Sequence, residues 1–68
     1  MENITIRDEF IKLGQAMKLA GLVDTGVDAK YAIEAGKVTV NNEPENRRGR
    51  KLYKGDFFTY KNRTITIR

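Results

Sequence analysis

Residues 13–41, LGQAMKLAGLVDTGVDAKYAIEAGKVTVN, decide the fold because their apolar residues change from a helical period to a strand period. At the start of this stretch, Leu13, Ala16, Met17 and Ala20 recur at the spacing of one helical face. Gly21 follows at the position where a left-handed residue ends a helix. The spacing therefore predicts a short first helix that begins at about Leu13.

A second helix is predicted after a short connection. Thr25 can cap its N-terminus, because its hydroxyl can accept a hydrogen bond from the Asp28 amide while the Asp28 carboxylate reaches back. Gly36 then ends this helix as Gly21 ends the first. Two short helices that present small residues to each other are expected to pack closely. The residues on the shared face of the second helix are Ala29, Ala32 and Ile33.

Strand patterns stand before and after the two helices. Val38 and Val40 are predicted to face inward, and Asn41 with Asn42 to form a turn, because Asn tolerates positive φ. Pro44 lacks a backbone donor, so residues 43–46 are at best an edge strand. Both ends of the chain show the same alternation of polar and β-branched apolar residues, so the two end strands could pair in one sheet. The predicted strands are residues 3–6, 37–41, 57–60 and 64–67, with turns at residues 54–56 and at Asn62 with Arg63.

Length and composition exclude most classes of enzyme. A chain of 68 residues predicts one domain, residues 1–68, with a thin core. The absence of cysteine and histidine removes the disulfide, the thiolate, the usual general base and the usual transition-metal ligand. We therefore predict no catalytic residue, no metal site and no cofactor. No apolar run is long enough to span a membrane and no signal peptide is recognisable, so we expect a cytoplasmic protein with no membrane partner. We also expect a monomer.

Carboxylates are the remaining route to catalysis or to Mg²⁺ binding. Asp24 with Asp28, and Glu43 with Glu45, could in principle form acid pairs. The first pair flanks a predicted helix start, where acids favour the helix dipole. The second pair lies beside Pro44 in a predicted loop. Both pairs are thus explained without catalysis.

Positive charge is concentrated in the second half of the chain. Residues 1–34 carry four basic and six acidic side chains, net minus two, and residues 35–68 carry nine basic and three acidic, net plus six. Residues 47–54, RRGRKLYK, hold five cations and no acid. Such a run attracts a polyanion over a Debye length of about 8–10 Å, and nucleic acid is the commonest polyanion. The alternative is a solvated loop kept positive for solubility.

The stretch from Ile11 to Phe58 resembles a known family. The matching elements are a Leu-containing helix ending in Gly, a second helix bearing Ala29-Lys30, the sequence Gly36-x-Val38-x-Val40-Asn41, and Lys54-Gly55-Asp56 before an apolar strand. These elements resemble the alpha-L RNA-binding domain first described in small-subunit ribosomal protein four, within it the small stand-alone bacterial members. The resemblance implies an α+β fold of two packed short helices against a small, bent, mainly antiparallel sheet. It also implies RNA binding by the second helix and the loop and strands that follow.

The chain departs from this family at the start of the second helix and in the turn after the Val-x-Val strand. The family usually has Ser-Arg at the helix start, where this chain has Thr25-Gly26, and Asn-Gly in the turn, where this chain has Asn41-Asn42. RNA contact therefore depends on Lys30 and on the basic run of residues 47–54. That lysine could equally form a surface pair with a glutamate one turn on, Glu34.

The resemblance and the basic run together predict the residues that contact RNA. Tyr31 and Tyr53 are interpreted as half-buried packing rather than as base-stacking residues, and Lys12 and Lys18 as ordinary solvated lysines. A cluster in a loop supports little packing, so we expect the fold to survive replacement of its three arginines by Ala. The predicted RNA-binding residues are Lys30, Lys37, Asn41, Arg47, Arg48, Arg50, Lys51 and Lys54.

The predicted partner is structured RNA, and the resemblance implies ribosomal RNA or transfer RNA as the natural targets. The ribosome or its assembly intermediates are a possible setting implied by the resemblance. Two alternatives remain open from the residues. One is a protein-interaction module whose basic loop docks on an acidic protein, and the other is a DNA-binding protein that uses the same cations.

Overall fold

The computed structural model describes residues 2–68 as two short helices and seven short strands. Met1, the first residue of the expected domain, lies outside the described residues. The elements in chain order are β1 Glu2–Ile4, β2 Ile11–Lys12, α1 Leu13–Leu19, α2 Gly26–Glu34, β3 Thr39–Val40, β4 Glu43–Pro44, β5 Lys51–Leu52, β6 Phe57–Tyr60 and β7 Arg63–Ile67. Two helices with small, mainly antiparallel sheets make the α+β class that was predicted.

The larger sheet contains five strands in the order β1-β7-β6-β3-β4. β1 runs parallel to β7, with Ile4 beside Ile67, and the other neighbours are antiparallel. The contact continues past β1, where the Ile6 amide donates to the Arg68 carbonyl at 2.8 Å. The predicted pairing of the two chain ends is thus confirmed. β4, which contains Pro44, lies at the edge of this sheet, as predicted.

Both helices end at the predicted glycines. Gly21 has a φ of 73° and Gly36 a φ of 75°, the left-handed region that glycine adopts without strain. Beyond α1, the Leu22 amide donates to the Met17 carbonyl at 3.0 Å, which satisfies a carbonyl of the last turn. The same arrangement closes α2. These ends return the chain towards the core after each helix.

α2 begins at its predicted cap. The Thr25 hydroxyl accepts a hydrogen bond from the Asp28 amide at 3.1 Å. The expected return bond from the Asp28 carboxylate to the Thr25 amide is absent among residues 2–68. The physical reason is length, because that return bond is typical of Glu or Gln and the aspartate side chain is one methylene shorter. Asp28 is therefore an acid in the first turn and not the second half of a capping box.

Two tight turns join the antiparallel strands of the larger sheet. Asn41 and Asn42 have φ angles of 52° and 70°, as predicted for a turn built on asparagine. Lys61 and Asn62 form the equivalent turn between β6 and β7, with φ angles of 50° and 65°. The prediction that Arg63 belongs to this turn is wrong. A two-residue turn needs positive φ only at its two central residues, so Arg63 is already the first residue of β7.

One hydrophobic core is shared by the helices and the sheets. The residues predicted to form it, Met17, Ile33, Val38 and Val40, are all buried. Phe58, in the central strand β6, is fully buried as well. Neither helix in the described part of the chain has the length and apolar content that crossing a bilayer requires.

Candidate nucleic-acid interface

The basic segment, residues 47–54, is attached to the first turn of α1 by backbone hydrogen bonds. The Leu13 amide donates to the Arg50 carbonyl at 2.8 Å, and the Gly14 amide donates to the Arg48 carbonyl at 3.0 Å. The N-cap residue of α1, Lys12, makes no side-chain capping bond, so these carbonyls satisfy amides that a helix start leaves unpaired. The basic segment is therefore fixed to the helix.

Part of the basic segment is a strand that the sequence did not predict. β2 and β5 form a separate antiparallel pair, with Ile11 beside Leu52 and Lys12 beside Lys51. Leu52 is fully buried and anchors this pair in the core. The pairing puts two like charges directly opposite each other, which is destabilising unless an anion offsets them. Lys12, interpreted from the sequence as an ordinary solvated lysine, thus lies beside a predicted RNA-binding residue.

Glu45 lies buried beneath the basic segment, with only 6% of its surface exposed. Its carboxylate accepts hydrogen bonds from Arg47 Nε at 3.0 Å, from the Arg47 amide at 3.1 Å and from Arg50 Nη1 at 2.6 Å. The hydrogen bonds from Arg47, together with the one from Arg50, outweigh burial and lower the pKa of Glu45 to about 2. Glu45 is thus a charged structural partner of two arginines, and the suggested Glu43 and Glu45 acid pair does not form.

The three arginines of the basic segment are not equivalent. Arg47 is 71% exposed although it binds Glu45, and Arg50, which also binds it, is 35% exposed. The Arg48 guanidinium makes no hydrogen bond or salt bridge within residues 2–68. The expectation that the cluster supports little packing is wrong, because Arg47 and Arg50 compensate a buried charge. Arg48 is the arginine most available to a partner.

Arg48 shares a groove with two lysines of the α1 region, Lys12 and Lys18. Gly26, the first residue of α2, also lines this groove. Lys18 was also interpreted as a solvated lysine, and no local sequence pattern links it to Arg48. Lys18 and Arg48 line one groove only because the basic segment caps α1. Three cations from separate parts of the chain therefore line one groove.

Gly14 permits this close approach of the basic segment to α1. A Cβ atom at position 14 would lie 2.7 Å from Arg48 Cγ and 3.6 Å from the Arg48 carbonyl oxygen. The first of these distances is too short for non-bonded carbon atoms, so any larger residue would displace the Arg48 side chain. Gly14 was not predicted to matter, although a glycine in the first turn of a helix is a signal of such a contact.

Asn41 and Lys54 lie in two neighbouring turns, neither of which lines the groove that contains Arg48. The Asn41 side chain donates to Asp56 Oδ1 at 3.1 Å and accepts from the Phe57 amide at 3.1 Å. Asp56 in turn accepts from the Tyr53 amide at 2.7 Å, so it holds both sides of the turn that contains Lys54. Asn41 thus has a structural role in joining two turns. Lys54 is exposed beside them.

Lys30 and Lys37 lie apart from these cations. Lys30 is exposed on α2, and the suggested salt bridge from Lys30 to Glu34 is absent from the described residues. Lys37 lines another groove, together with Tyr31 and Lys61. The structure therefore does not join all eight predicted residues into one cluster. It brings together the cations of the basic segment and adds Lys12 and Lys18 to them.

Of the two tyrosines singled out from the sequence, Tyr53 is half-buried as predicted and Tyr31 is more exposed than predicted. Tyr31 is 66% exposed on α2 and Tyr53 is 42% exposed at the end of the basic segment. The Tyr53 ring contacts Phe10, with centroids 5.9 Å apart, and the Lys51 ammonium lies 4.7 Å above the Phe10 ring. The interpretation of both tyrosines as half-buried packing residues is wrong for Tyr31, and only one side of Tyr53 is packed.

Comparison with known proteins identifies the family. The sequence model of the S4 domain matches residues 4–68. The chain belongs to the S4 domain family. The predicted resemblance, which was strongest over residues 11–58, is thereby confirmed and extends over nearly the whole chain.

Two known proteins are similar to this S4 domain, one in sequence and one in structure. The chain is 53% identical over 53 residues to the "Probable ribosome maturation protein RlbA" of Bacillus subtilis (strain 168), a match that covers 78% of this chain and 75% of that protein. It is also similar to YbcJ from E. coli, whose solution structure is described as revealing an "alfaL motif involved in RNA-binding". That likeness has a TM-score of 0.75 and 25% sequence identity, and it covers 98% of this chain and 86% of the other. The predicted alpha-L fold is therefore confirmed.

Proposed function

We propose that this S4 domain binds structured RNA, without catalysing a reaction, through the basic face formed by β2, α1 and the basic segment. The central contacts are Lys12, Arg48 and Lys51, with Lys18, Arg47 and Arg50 around them. Lys30, Lys37, Asn41 and Lys54 are proposed as outer contacts on larger RNA molecules. The observation that carries the proposal is the pairing of Lys12 with Lys51 next to the unpaired Arg48.

Electrostatics favour a polyanion at this face. Lys12 and Lys51 face each other across one strand pair and no carboxylate of residues 2–68 forms a salt bridge with either. Their repulsion is relieved when a phosphate lies between them. Because backbone bonds to Leu13 and Gly14 hold the basic segment in place, little ordering entropy is lost on binding. An A-form helix, which exposes its phosphates and 2′-hydroxyls, is the nucleic acid that such contacts recognise by shape.

Ribosomal RNA or transfer RNA is the proposed target, in the cytoplasm and with the protein as a monomer. The relative in Bacillus subtilis supports the ribosomal alternative, because its name assigns it to ribosome maturation. The structural neighbour supports RNA as the class of ligand, since its motif is described as involved in RNA binding. Ribosome assembly intermediates are accordingly the first place to look for this protein.

The proposal is tested by measuring the affinity of a labelled RNA hairpin at several salt concentrations. We expect the logarithm of the wild-type association constant to fall with the logarithm of salt with a slope of roughly minus three to minus four. The double variant Arg48→Gln and Lys51→Gln should bind about 10- to 100-fold more weakly, with a slope smaller by about two. The matched control is Arg7→Gln and Lys61→Gln, which removes the same charge outside the basic face and should weaken binding much less, because Lys61 shares a groove with the outer contact Lys37 and with no central one.

Three results would contradict the proposal. Equal losses in the two double variants would mean that only net charge matters. Equal affinity for a DNA duplex of the same sequence would favour the DNA-binding alternative. Absence of RNA binding, combined with recovery of an acidic protein from nuclease-treated lysate, would favour the protein-interaction alternative. RNA recovered by the wild type and lost by the Arg48 and Lys51 variant identifies the target by sequencing.

A further inference from the structure

A second groove on the basic segment has one aromatic wall and three cations. It is lined by Arg47, Gly49, Arg50, Lys51 and Tyr53, and it encloses about 520 Å³. No apolar side chain of the described residues other than Tyr53 lines it. A surface that combines a single exposed ring with a set of cations matches the two parts of a nucleotide, its flat base and its phosphate.

The Tyr53 ring is held in place before any ligand arrives. Its inner side contacts the half-buried Phe10, with the two ring planes inclined at 54°. Its backbone amide donates a hydrogen bond to Asp56 Oδ2 at 2.7 Å, which fixes the backbone at this residue. The Lys51 ammonium, 4.7 Å above the Phe10 ring, is positioned by a cation–π contact beside Tyr53. The ring and the neighbouring charge are therefore pre-organised relative to each other.

The arginines of the groove keep donors for a ligand even though they bind Glu45. Arg47 uses Nε and Nη2 on that carboxylate, and Arg50 uses Nη1. The remaining guanidinium N–H groups make no hydrogen bond within residues 2–68. Between the arginines, a Cβ atom at Gly49 would meet no atom within 4 Å, so the space beside Gly49 is open.

We propose that this groove binds an unpaired nucleotide, with the base stacked on Tyr53 and the phosphate held by Lys51 and the free N–H groups of Arg47 and Arg50. This inference rests on the proposed function and narrows it to one kind of RNA. In a continuous duplex both faces of every base are covered by neighbouring bases, so a stacking residue gains nothing there. The preferred ligand is therefore a helix with a bulge, a loop or an unpaired end beside the phosphates that the basic face contacts.

The test compares two blunt-ended RNA hairpins that differ at one position, each closed by a non-nucleotide linker so that neither has a loop or an unpaired end. One carries a single bulged fluorescent purine, and the other is fully paired. We expect the wild type to bind the bulged hairpin more tightly. Tyr53→Leu should weaken binding of the bulged hairpin about 5- to 150-fold, while affinity for the paired hairpin stays unchanged. Tyr53→Phe keeps the ring and should bind both hairpins as the wild type does. Tyr31→Leu, the matched control on α2, should also behave as the wild type.

The outcomes separate this inference from the proposed function. Equal binding of both hairpins by the wild type, or an equal loss on both for Tyr53→Leu, would overturn the stacking site and leave RNA binding intact. Failure of the wild type to bind either hairpin would overturn the proposed function itself. If Tyr53→Leu does not fold, the fluorescence of the bulged purine bound to the wild type still tests whether the base stacks on Tyr53. Stacking on Tyr53 quenches it in the wild type and in Tyr53→Phe, and an unchanged signal on saturation would contradict the site.

Discussion

The two helices of this protein begin in different ways. α2 is capped locally, since the Thr25 hydroxyl accepts from the Asp28 amide at 3.1 Å. α1 has no side-chain cap and takes its first two acceptors, the carbonyls of Arg50 and Arg48, from the other half of the chain. The start of α2 therefore depends on neighbouring residues alone. The start of α1 exists only when the basic segment is folded against it.

This difference couples stability to binding in one region of the molecule and not in the other. The segment that caps α1 also carries the cations proposed to contact RNA. Glu45 stabilises that segment from below, because it accepts from both Arg47 and Arg50. Changes to Glu45 or its partners should therefore affect folding as well as binding, whereas changes at Thr25 should affect folding alone.

The largest effect is expected from the double variant Arg47→Ala and Arg50→Ala. Both salt bridges to Glu45 are lost, and the carboxylate, 6% exposed, is left buried without a compensating charge. Removing the partners of a buried charge costs several kcal/mol, and the exposure of Arg47 moderates this, so we expect the free energy of unfolding to fall by about 2–4 kcal/mol. Urea denaturation measures it.

Arg48→Ala is the control for this variant. The Arg48 guanidinium has no partner among residues 2–68, so its loss should change the free energy of unfolding by less than about 1 kcal/mol. Equal stability of the double variant and Arg48→Ala would show that Glu45 does not need its arginines. In that case the start of α1 would not depend on the ion pairs of the basic segment, just as the start of α2 does not.

Acid should weaken the same region by a smaller amount. The pKa of Glu45 is lowered from 4.5 to about 2, so the folded state holds the proton less tightly than the unfolded state. The resulting stability is fully present above pH 4.5 and is lost as the pH falls through about 2. We expect a loss of about 1–3 kcal/mol over this range, measured by urea denaturation at each pH.

Glu45→Gln should remove most of this pH dependence and lower stability at neutral pH. The matched control is Glu2→Gln. The Arg63 hydrogen bond also lowers the pKa of Glu2, but that pair is exposed and screened by solvent. A pH profile that persists in Glu45→Gln and disappears in Glu2→Gln would assign the effect to the chain ends instead of the basic segment.

The features predicted correctly from the sequence are mostly those that depend on neighbouring residues, as the start of α2 does. Gly21, Gly36 and the Thr25 cap act within one helical turn of their positions, and all three were predicted correctly. The alternating ends of the chain also paired as expected, because a repeated β-branched pattern marks a buried face even at long range.

The candidate site was predicted only in part. The cations of residues 47–54 are evident from composition. The pairing of β2 with β5 could not be predicted, because two residues in each strand are too few to show the alternation of polar and apolar residues that marks a strand. Glu45 was placed in a predicted loop, because no local sequence pattern indicates that a carboxylate will be buried between two arginines. Lys12 and Lys18 were set aside for the same reason, since their neighbour Arg48 comes from the other half of the chain.

The smallest change in stability, and the sharpest comparison of the two helix starts, is expected from Gly14→Ala and Thr25→Ala. Thr25→Ala removes the local cap and should lower the free energy of unfolding by about 1 kcal/mol, with RNA affinity unchanged. Gly14→Ala adds a Cβ atom 2.7 Å from Arg48 Cγ, which displaces that side chain, but it also raises helix propensity. The two effects oppose each other, so stability should change by less than about 1 kcal/mol.

RNA affinity separates the two variants where stability does not. Because Gly14→Ala moves Arg48 away from the groove it shares with Lys12 and Lys18, we expect affinity for the paired hairpin to fall about as far as in Arg48→Gln alone. Combining Gly14→Ala with Arg48→Gln should then lower RNA affinity little more than either change alone, since both act on one contact. Additive losses would mean that Gly14 serves the fold of α1 and that the position of Arg48 is not what RNA recognises.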